Sequence, residues 1–290
     1  LSEFLSEKTR KGLLDSLQTM ADFKCPGGRY PGRNKHEILT MRKCADKYSS
    51  LQVDKLKKRY QVNIQPKTIN GVYTEIFTPV EELPNHNKKR ILINLHGGGN
   101  VFGARVGGQL ESIPVSAMGK YRVISVDYSM FPEHVYPAAS KDVVTVYREL
   151  LKSYQPENIG IYGCSAGAGL TARTLARLQS ENLPTPGAAG LFCAGATGVG
   201  GDAYTVFGTV DGVDPKQLKR FGYMADTSKD DPLVAPGRHP QVLVNFPPTL
   251  LLSSVRDRAL STAAFTHSQL IKLGIEADLH VWEGLPHGGF

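Results

Sequence analysis

The stretch Asn158-Ile-Gly-Ile-Tyr-Gly-Cys-Ser-Ala-Gly-Ala-Gly-Leu170 constrains the fold more than any other part of the chain. Ile159, Ile161 and Tyr162 predict a short buried strand, and Leu170 to Ala176 opens a helix. Between them, Gly163-Cys164-Ser165-Ala166-Gly167 is a G-x-S-x-G turn. Strand, tight turn and helix in that order are what a nucleophile elbow requires: the serine hydroxyl is exposed on a sharp turn, and small neighbours let strand and helix pass closely. A glycine-rich connection whose serine only caps the helix is the alternative. The pentapeptide alone does not separate the two, because such short patterns recur by chance.

The rest of the chain supplies the context. Strands alternate with helices behind a hairpin. Val62-Asn-Ile64 and Val72 to Phe77 flank Asn70-Gly71, a strong short-range hairpin signal. Ile91 to Leu95 and Tyr121 to Asp127 read as buried strands, and Ala138 to Tyr154 as a helix with Pro137 suited to its first turn. Further strands are expected at Ala188 to Ala194, Thr249 to Leu252 and Ala277 to Trp282, with a helix from Ala259 to Leu273 stopped by Gly274. This pattern predicts an α/β fold with a mostly parallel sheet and helices on both faces. Residues 1 to 60 carry apolar positions at helical spacing (Leu13, Leu14, Leu17, Met20, Ile38, Met41, Tyr48) ahead of any strand, and are expected to form a helical cap segment. Residues 61 to 290 then form the main domain. The irregular segment from 195 to 248 is expected to contribute to the cap, with a helix over Pro215 to Tyr223.

Composition removes several function classes. With 41% hydrophobic and 21% charged residues, the chain is neither disordered nor a membrane protein in character, and no apolar run is long enough for a span. The net charge of +7 is carried partly by Lys55-Leu-Lys-Lys-Arg59 and Lys88-Lys-Arg90, which lack the aromatic interleaving of a nucleic-acid module and read as solvated surface. Four cysteines are too few for a disulfide scaffold, and none has metal-ligand spacing. Cys164 and Cys193 read as buried thiols, whereas Cys25 and Cys44 are a candidate pair in an oxidising compartment. Leu1 is not an initiator methionine and no apolar signal segment leads the chain, which fits a removed leader or trimmed ends. Cytoplasmic and exported locations both stay open, and a homodimer is compatible with the sequence.

A serine nucleophile needs a base within reach and a third group to orient that base. Reading forward from Ser165, the last histidine is His287, on a Gly/Pro-rich loop just past the final strand. Open α/β sheets put their sites at that edge. His280 falls within a strand, His267 in a helix and His239 in the irregular segment. Asp257 lies just beyond the Leu250-Leu-Leu252 strand and before a helix, the position expected of the acid; helix capping is its alternative role, and Asp231 and Asp202 are the alternative acids. Independently, His96-Gly-Gly-Gly99 follows a buried strand. Consecutive glycines let backbone N–H groups face a developing oxyanion, and losing one such donor costs ~3 kcal/mol. Gly97, Gly98 and Ala166 are the expected donors.

Three blocks then resemble the hormone-sensitive-lipase-like branch of α/β-hydrolase carboxylesterases: His96 to Gly99, Val126-Asp-Tyr-Ser-Met-Phe-Pro-Glu-His-Val-Tyr-Pro-Ala-Ala139, and Gly163 to Gly167. The second is similar to that family's D-Y-R-x-x-P-E-x-x-x-P-A-A segment, its most specific marker. Val255-Arg-Asp257 and Pro286-His-Gly288 resemble its acid and histidine loops. Ser129 stands where the family has arginine, Asn100 where an aromatic follows the glycines, and Ala168 where a glycine follows the elbow. The family also carries a closing helix after the histidine, where this chain stops at Phe290.

The resemblance implies a helical cap on an α/β-hydrolase core, with Ser165, Asp257 and His287 hydrolysing small esters of short-chain or small aromatic acids without metal or organic cofactor. An amidase or lactonase could use the same residues, and a non-catalytic ligand-binding protein on the same fold is the rival from another class.

Overall fold

The computed structural model describes residues 1–23, 34–207 and 222–289. Two helices lead: α1 (Glu7–Asp22), capped by the Ser6 hydroxyl on the Thr9 amide, and α2 (Lys35–Arg59), capped by Asn34 on the Glu37 amide. Lys57, Lys58 and Arg59 of the basic cluster occupy the last turn of α2, where they complement the helix dipole. Leu1, Phe4 and Leu5 lie ahead of α1 and are not helical.

β1 (Val62–Ile69) and β2 (Val72–Pro79) form the antiparallel hairpin, in full register from Val62↔Pro79 to Ile69↔Val72. Asn70 and Gly71 both adopt positive φ, 47° and 89°, as a type I′ turn demands. The chain continues through β3 (Ile91–Leu95), α3 (Val106–Gly119), β4 (Arg122–Val126), α4 (Ala138–Leu150), β5 (Ile159–Cys164) and α5 (Ala166–Ser180). It ends with β6 (Ala188–Phe192), α6 (Asp202–Phe207), α7 (Pro240–Leu243), β7 (Thr249–Arg256), α8 (Leu260–Lys272) and β8 (Ala277–Pro286). The eight strands make one sheet in the order β1-β2-β4-β3-β5-β6-β7-β8, antiparallel at β1/β2/β4 and parallel elsewhere.

Both faces of the sheet are covered, which is why its inner strands read as unbroken apolar runs. Side chains alternate between two clusters. Ile91, Ile93, Leu95, Ile124, Val126, Ile159 and Ile161 face α4 and α5, packing with Val143, Tyr147, Leu170 and Leu175. Leu92, Val123, Tyr162 and Phe77 face the other way, against Ile113 of α3 and Val53 of α2.

Helix α3 is absent from the sequence reading. Gly107, Gly108 and Pro114 break its pattern, yet Gly108 is needed because a Cβ there would strike the Ser125 hydroxyl of β4. β7 and β8 run four residues beyond their expected ends. The segment after β6 contains the short helices α6 and α7, while the helix expected over Pro215 to Tyr223 lies outside the described residues except at its last two positions. Cys44 is disulfide-bonded and Cys164 and Cys193 are free; Cys25 lies outside the described residues. Among the described residues, no helix is long and apolar enough to cross a membrane.

Candidate active site

The carboxyl ends of β3, β5, β7 and β8 bring the site residues together. At β5, the chain turns within one residue: Ser165 sits at φ 56°, ψ −115°, a left-handed conformation strained for a residue with a Cβ. Its amide is held by the Phe192 carbonyl at 2.7 Å. The flanking glycines are sterically required. A Cβ on Gly163 or on Gly167 would fall onto the Leu95 carbonyl oxygen, so β3, β5 and α5 could not approach as closely.

His287 follows β8 and reaches back to the turn. Its Nε2 lies 2.8 Å from the Ser165 hydroxyl, and its Nδ1 lies 2.6 Å from Asp257 Oδ1. Asp257 follows a register shift between Ser254 and Arg256 of β7, an irregularity of the kind that re-aims a strand end. The residue is fully buried. Its Oδ1 also accepts the Ala259 amide (2.8 Å), and its Oδ2 accepts the Ser253 hydroxyl (2.9 Å). Burial pushes this carboxyl up, but the hydrogen bond and charge of His287, with the Ala259 amide and the Ser253 hydroxyl, outweigh it and hold the group below the usual aspartate value. The carboxylate therefore stays ionised beside the imidazole. The histidine loop is tied down twice. The Ser254 hydroxyl donates to the Leu285 carbonyl (2.7 Å), and the Gly288 amide donates to Cys193 Sγ (3.0 Å).

The glycine run after β3 forms the opposing wall. His96 is buried and stacks on Tyr128, ring centroids 4.2 Å apart; the Tyr128 hydroxyl donates to the His96 carbonyl at 2.6 Å. Burial lowers the His96 imidazole to about 4, against the opposing pull of its bond to the Gly97 carbonyl, so this ring is neutral at pH 7 and structural. Gly97 departs from its expected role. Its N–H is already donated to Glu111 Oε1 at 2.8 Å, so it has nothing left to offer an oxyanion. The amides of Gly98, Gly99 and Ala166 have no protein acceptor among the described residues. The turn is shaped by positive φ at Gly98 (107°) and Gly99 (65°), and by Val101 and Phe102 amides that both donate to the Gly98 carbonyl.

The most specific motif block is scaffold rather than chemistry. Ser129 donates its amide to Asp142, Asp127 accepts the Arg105 amide, and Glu133 takes a two-pronged bond from Arg42 of α2. Arg42 also donates to the carbonyls of Val101 and Phe131, both at 2.6 Å, while Asp46 accepts the Gly103 amide. Sequence reasoning missed Arg42, Asp46 and Glu111. The only signal was a lone glutamate in the otherwise uncharged stretch Leu110 to Ala117. The alternative acids stand elsewhere: Asp231 accepts the Leu233 amide, and Asp202 opens α6. His267 and His239 contact the carbonyls of Ala277 and Lys229. Cys193, Asp257 and His287 offer three ligand atoms within 4.8 Å of one another, but those of Asp257 and His287 are bonded to each other. A separate cavity of about 240 Å³, lined by Thr197, Val199, Arg238, Ser261 and Phe265, contains none of Ser165, Asp257 and His287.

Comparison with known proteins identifies the family of the chain. The family profile of the alpha/beta hydrolase fold matches residues 92–290. An acetyl-hydrolase of Streptomyces hygroscopicus is 28% identical over 214 residues, covering 70% of this chain and 69% of that one. The crystal structure of an esterase, E25, superposes with a TM-score of 0.82 at 30% identity, covering 99% of this chain and 88% of that chain. An esterase from the bacterial hormone-sensitive lipase family shares the fold, with a TM-score of 0.77 at 23% identity over 98% of this chain and 90% of the other. The chain thus belongs to the α/β-hydrolase family, among its hormone-sensitive-lipase-like carboxylic ester hydrolases.

Proposed function

We propose that Ser165, His287 and Asp257 act as the catalytic triad of this carboxylesterase, through an acyl-enzyme. The observation that carries the proposal is the unbroken chain from the Ser165 hydroxyl to His287 (2.8 Å) to a buried, ionised Asp257 (2.6 Å). His287 takes the serine proton as the hydroxyl attacks the ester carbonyl. Asp257 holds the ring in the tautomer with hydrogen on Nδ1 and stabilises the imidazolium. The amides of Gly98, Gly99 and Ala166 receive the oxyanion. The imidazolium then protonates the leaving alcohol, and water deacylates Ser165 by the same route.

Helices α1 and α2 and the segment 195 to 248 are assigned to a cap over the site. The contacts of Arg42 and Asp46 with the turn after the glycines support that assignment. Short-chain or small aromatic acyl esters are the inferred substrates; the relative from Streptomyces hygroscopicus is an acetyl-hydrolase.

The test is hydrolysis of p-nitrophenyl esters from acetate to dodecanoate by wild type and by Ser165→Ala. Wild type should turn over acetate and butyrate and fall away at long chains. Ser165→Ala should retain the fold and lose turnover on all of them. Near-wild-type turnover by the alanine variant would exclude the serine mechanism.

A further inference from the structure

Glu111 takes no part in the scheme above, yet its carboxylate stands behind both loops on which that scheme depends. Oε1 accepts the Gly97 amide at 2.8 Å and Oε2 accepts Asn94 Nδ2 at 2.9 Å, while the Cys164 backbone lies near enough to favour the charged form of the same carboxylate. Asn94 is itself held by the Ser125 hydroxyl, 3.0 Å from its Oδ1. A polar chain thus runs from β4 through β3 to α3, and from there to Gly97, beside the residue that precedes the nucleophile. The three pieces are in close contact. A Cβ added to Gly97 would lie 3.2 Å from the Cys164 carbonyl oxygen, 3.5 Å from Glu111 Oε1 and 3.6 Å from Ser165 Cβ.

This arrangement is costly, and the cost shows what it is for. The residue is half-buried, with its carboxylate turned toward Asn94 and Gly97. Burial pushes the carboxyl up to about 7, and the groups that pull it back are Asn94 and the amides of Gly97 and Cys164, all dipoles. A carboxylate without a cation is an expensive occupant of such a place. What it provides over glutamine is capacity: two oxygens with about four lone-pair sites accept several donors at once, whereas an amide offers one oxygen and adds donors of its own.

We propose that Glu111 is a positioning residue: its carboxylate ties the glycine turn at Gly97 to the nucleophile turn at Cys164. It thereby sets the distance between the amides of Gly98, Gly99 and Ala166 and the Ser165 hydroxyl. Oxyanion donors act within a narrow span, about 2.7–3.1 Å from the developing charge, so a small slippage between the two turns costs rate before it costs substrate binding. The proposal rests on the serine-esterase reading, which Ser165→Ala tests by itself; the Glu111 experiment is read against a wild type already shown to need Ser165.

The experiment is steady-state hydrolysis of p-nitrophenyl acetate by Glu111→Gln, with affinity for a trifluoromethyl ketone, which forms an oxyanion adduct on serine. A folded Glu111→Gln should lose at least about tenfold in kcat, a part of the 10²–10³ lost with a whole donor, with KM within about twofold. Ketone affinity should fall by the same factor as kcat/KM, a correlation that a merely structural role does not produce. Asn94→Ala, which leaves Glu111 in place and removes the donor to its Oε2, is the second variant should the first not fold; the same pattern is expected at smaller amplitude, about threefold. Wild-type kcat in a folded Glu111→Gln, or a loss of kcat with unchanged ketone affinity, would overturn the proposal.

Discussion

The Glu111 carboxyl makes a second prediction, on stability, whose sign and size follow from its surroundings. In the folded chain this group titrates near 7, against 4.5 for an ordinary glutamate, because burial penalises its charged form more than Asn94 and the amides of Gly97 and Cys164 favour it. Between those two values the native state holds a proton that the unfolded chain has released. Native stability must therefore fall as pH rises through that window: the contribution is complete below 4.5 and is gone once pH passes the folded value. At about 1.36 kcal/mol per pKa unit, the shift corresponds to at most about 3.4 kcal/mol, less whatever the partial exposure of the residue screens. Glu111→Gln removes this titration while keeping the side chain's shape. The titratable groups coupled to Glu111 are Tyr128, Tyr162 and Cys164, all raised and all protonated throughout the window. Asp257 is depressed and titrates below it. The assay is urea unfolding of both proteins at half-unit steps from pH 4.5 to 8. Wild type should lose between about 1 and 3 kcal/mol relative to Glu111→Gln across that range. A difference between the two that stays constant within about 0.5 kcal/mol would refute the reasoning, since the carboxyl would then titrate alike in both states.

Two further outcomes follow from the site. Asp257→Asn keeps the packing but reverses the hydrogen bond that selects the His287 tautomer, so kcat should fall by about 10⁴ with KM little changed in a pH 7 esterase assay; a loss under tenfold would remove Asp257 from the triad. Gly167→Ala places a Cβ on the Leu95 carbonyl and against that of His96, both backbone atoms with nowhere to move. It should lower the thermal midpoint by several degrees, corresponding to about 1–3 kcal/mol, or prevent folding; a wild-type melting curve would show that the elbow is looser than described.

Much of this was legible in the chain because it is written in short-range patterns. The turn at Ser165 declares itself through Gly163 and Gly167, which are glycines for a local reason: strand, turn and helix must pass within contact of Leu95. The Asn70-Gly71 hairpin is encoded in the same way, by two residues that accept positive φ. Helix α3 was hidden because its glycine and proline content answers to β4 rather than to helix propensity, Gly108 making room for Ser125. The role of Gly97 was misread for a related reason. Three consecutive glycines look interchangeable on paper, and which amide is free depends on what stands behind each.

The sequence by itself determined the class of fold, the order of serine, acid and histidine along the chain, and the turns on which they sit, because periodicity and glycine placement act over a few residues. Only the tertiary structure decided that the Gly97 amide is taken by Glu111, that the same carboxylate holds Asn94 of β3, and that Arg42 of α2 reaches Glu133, 91 positions away. Such contacts are made across the sheet and between layers, where partners are chosen by packing and by the need to satisfy buried polar groups; no local pattern carries that information.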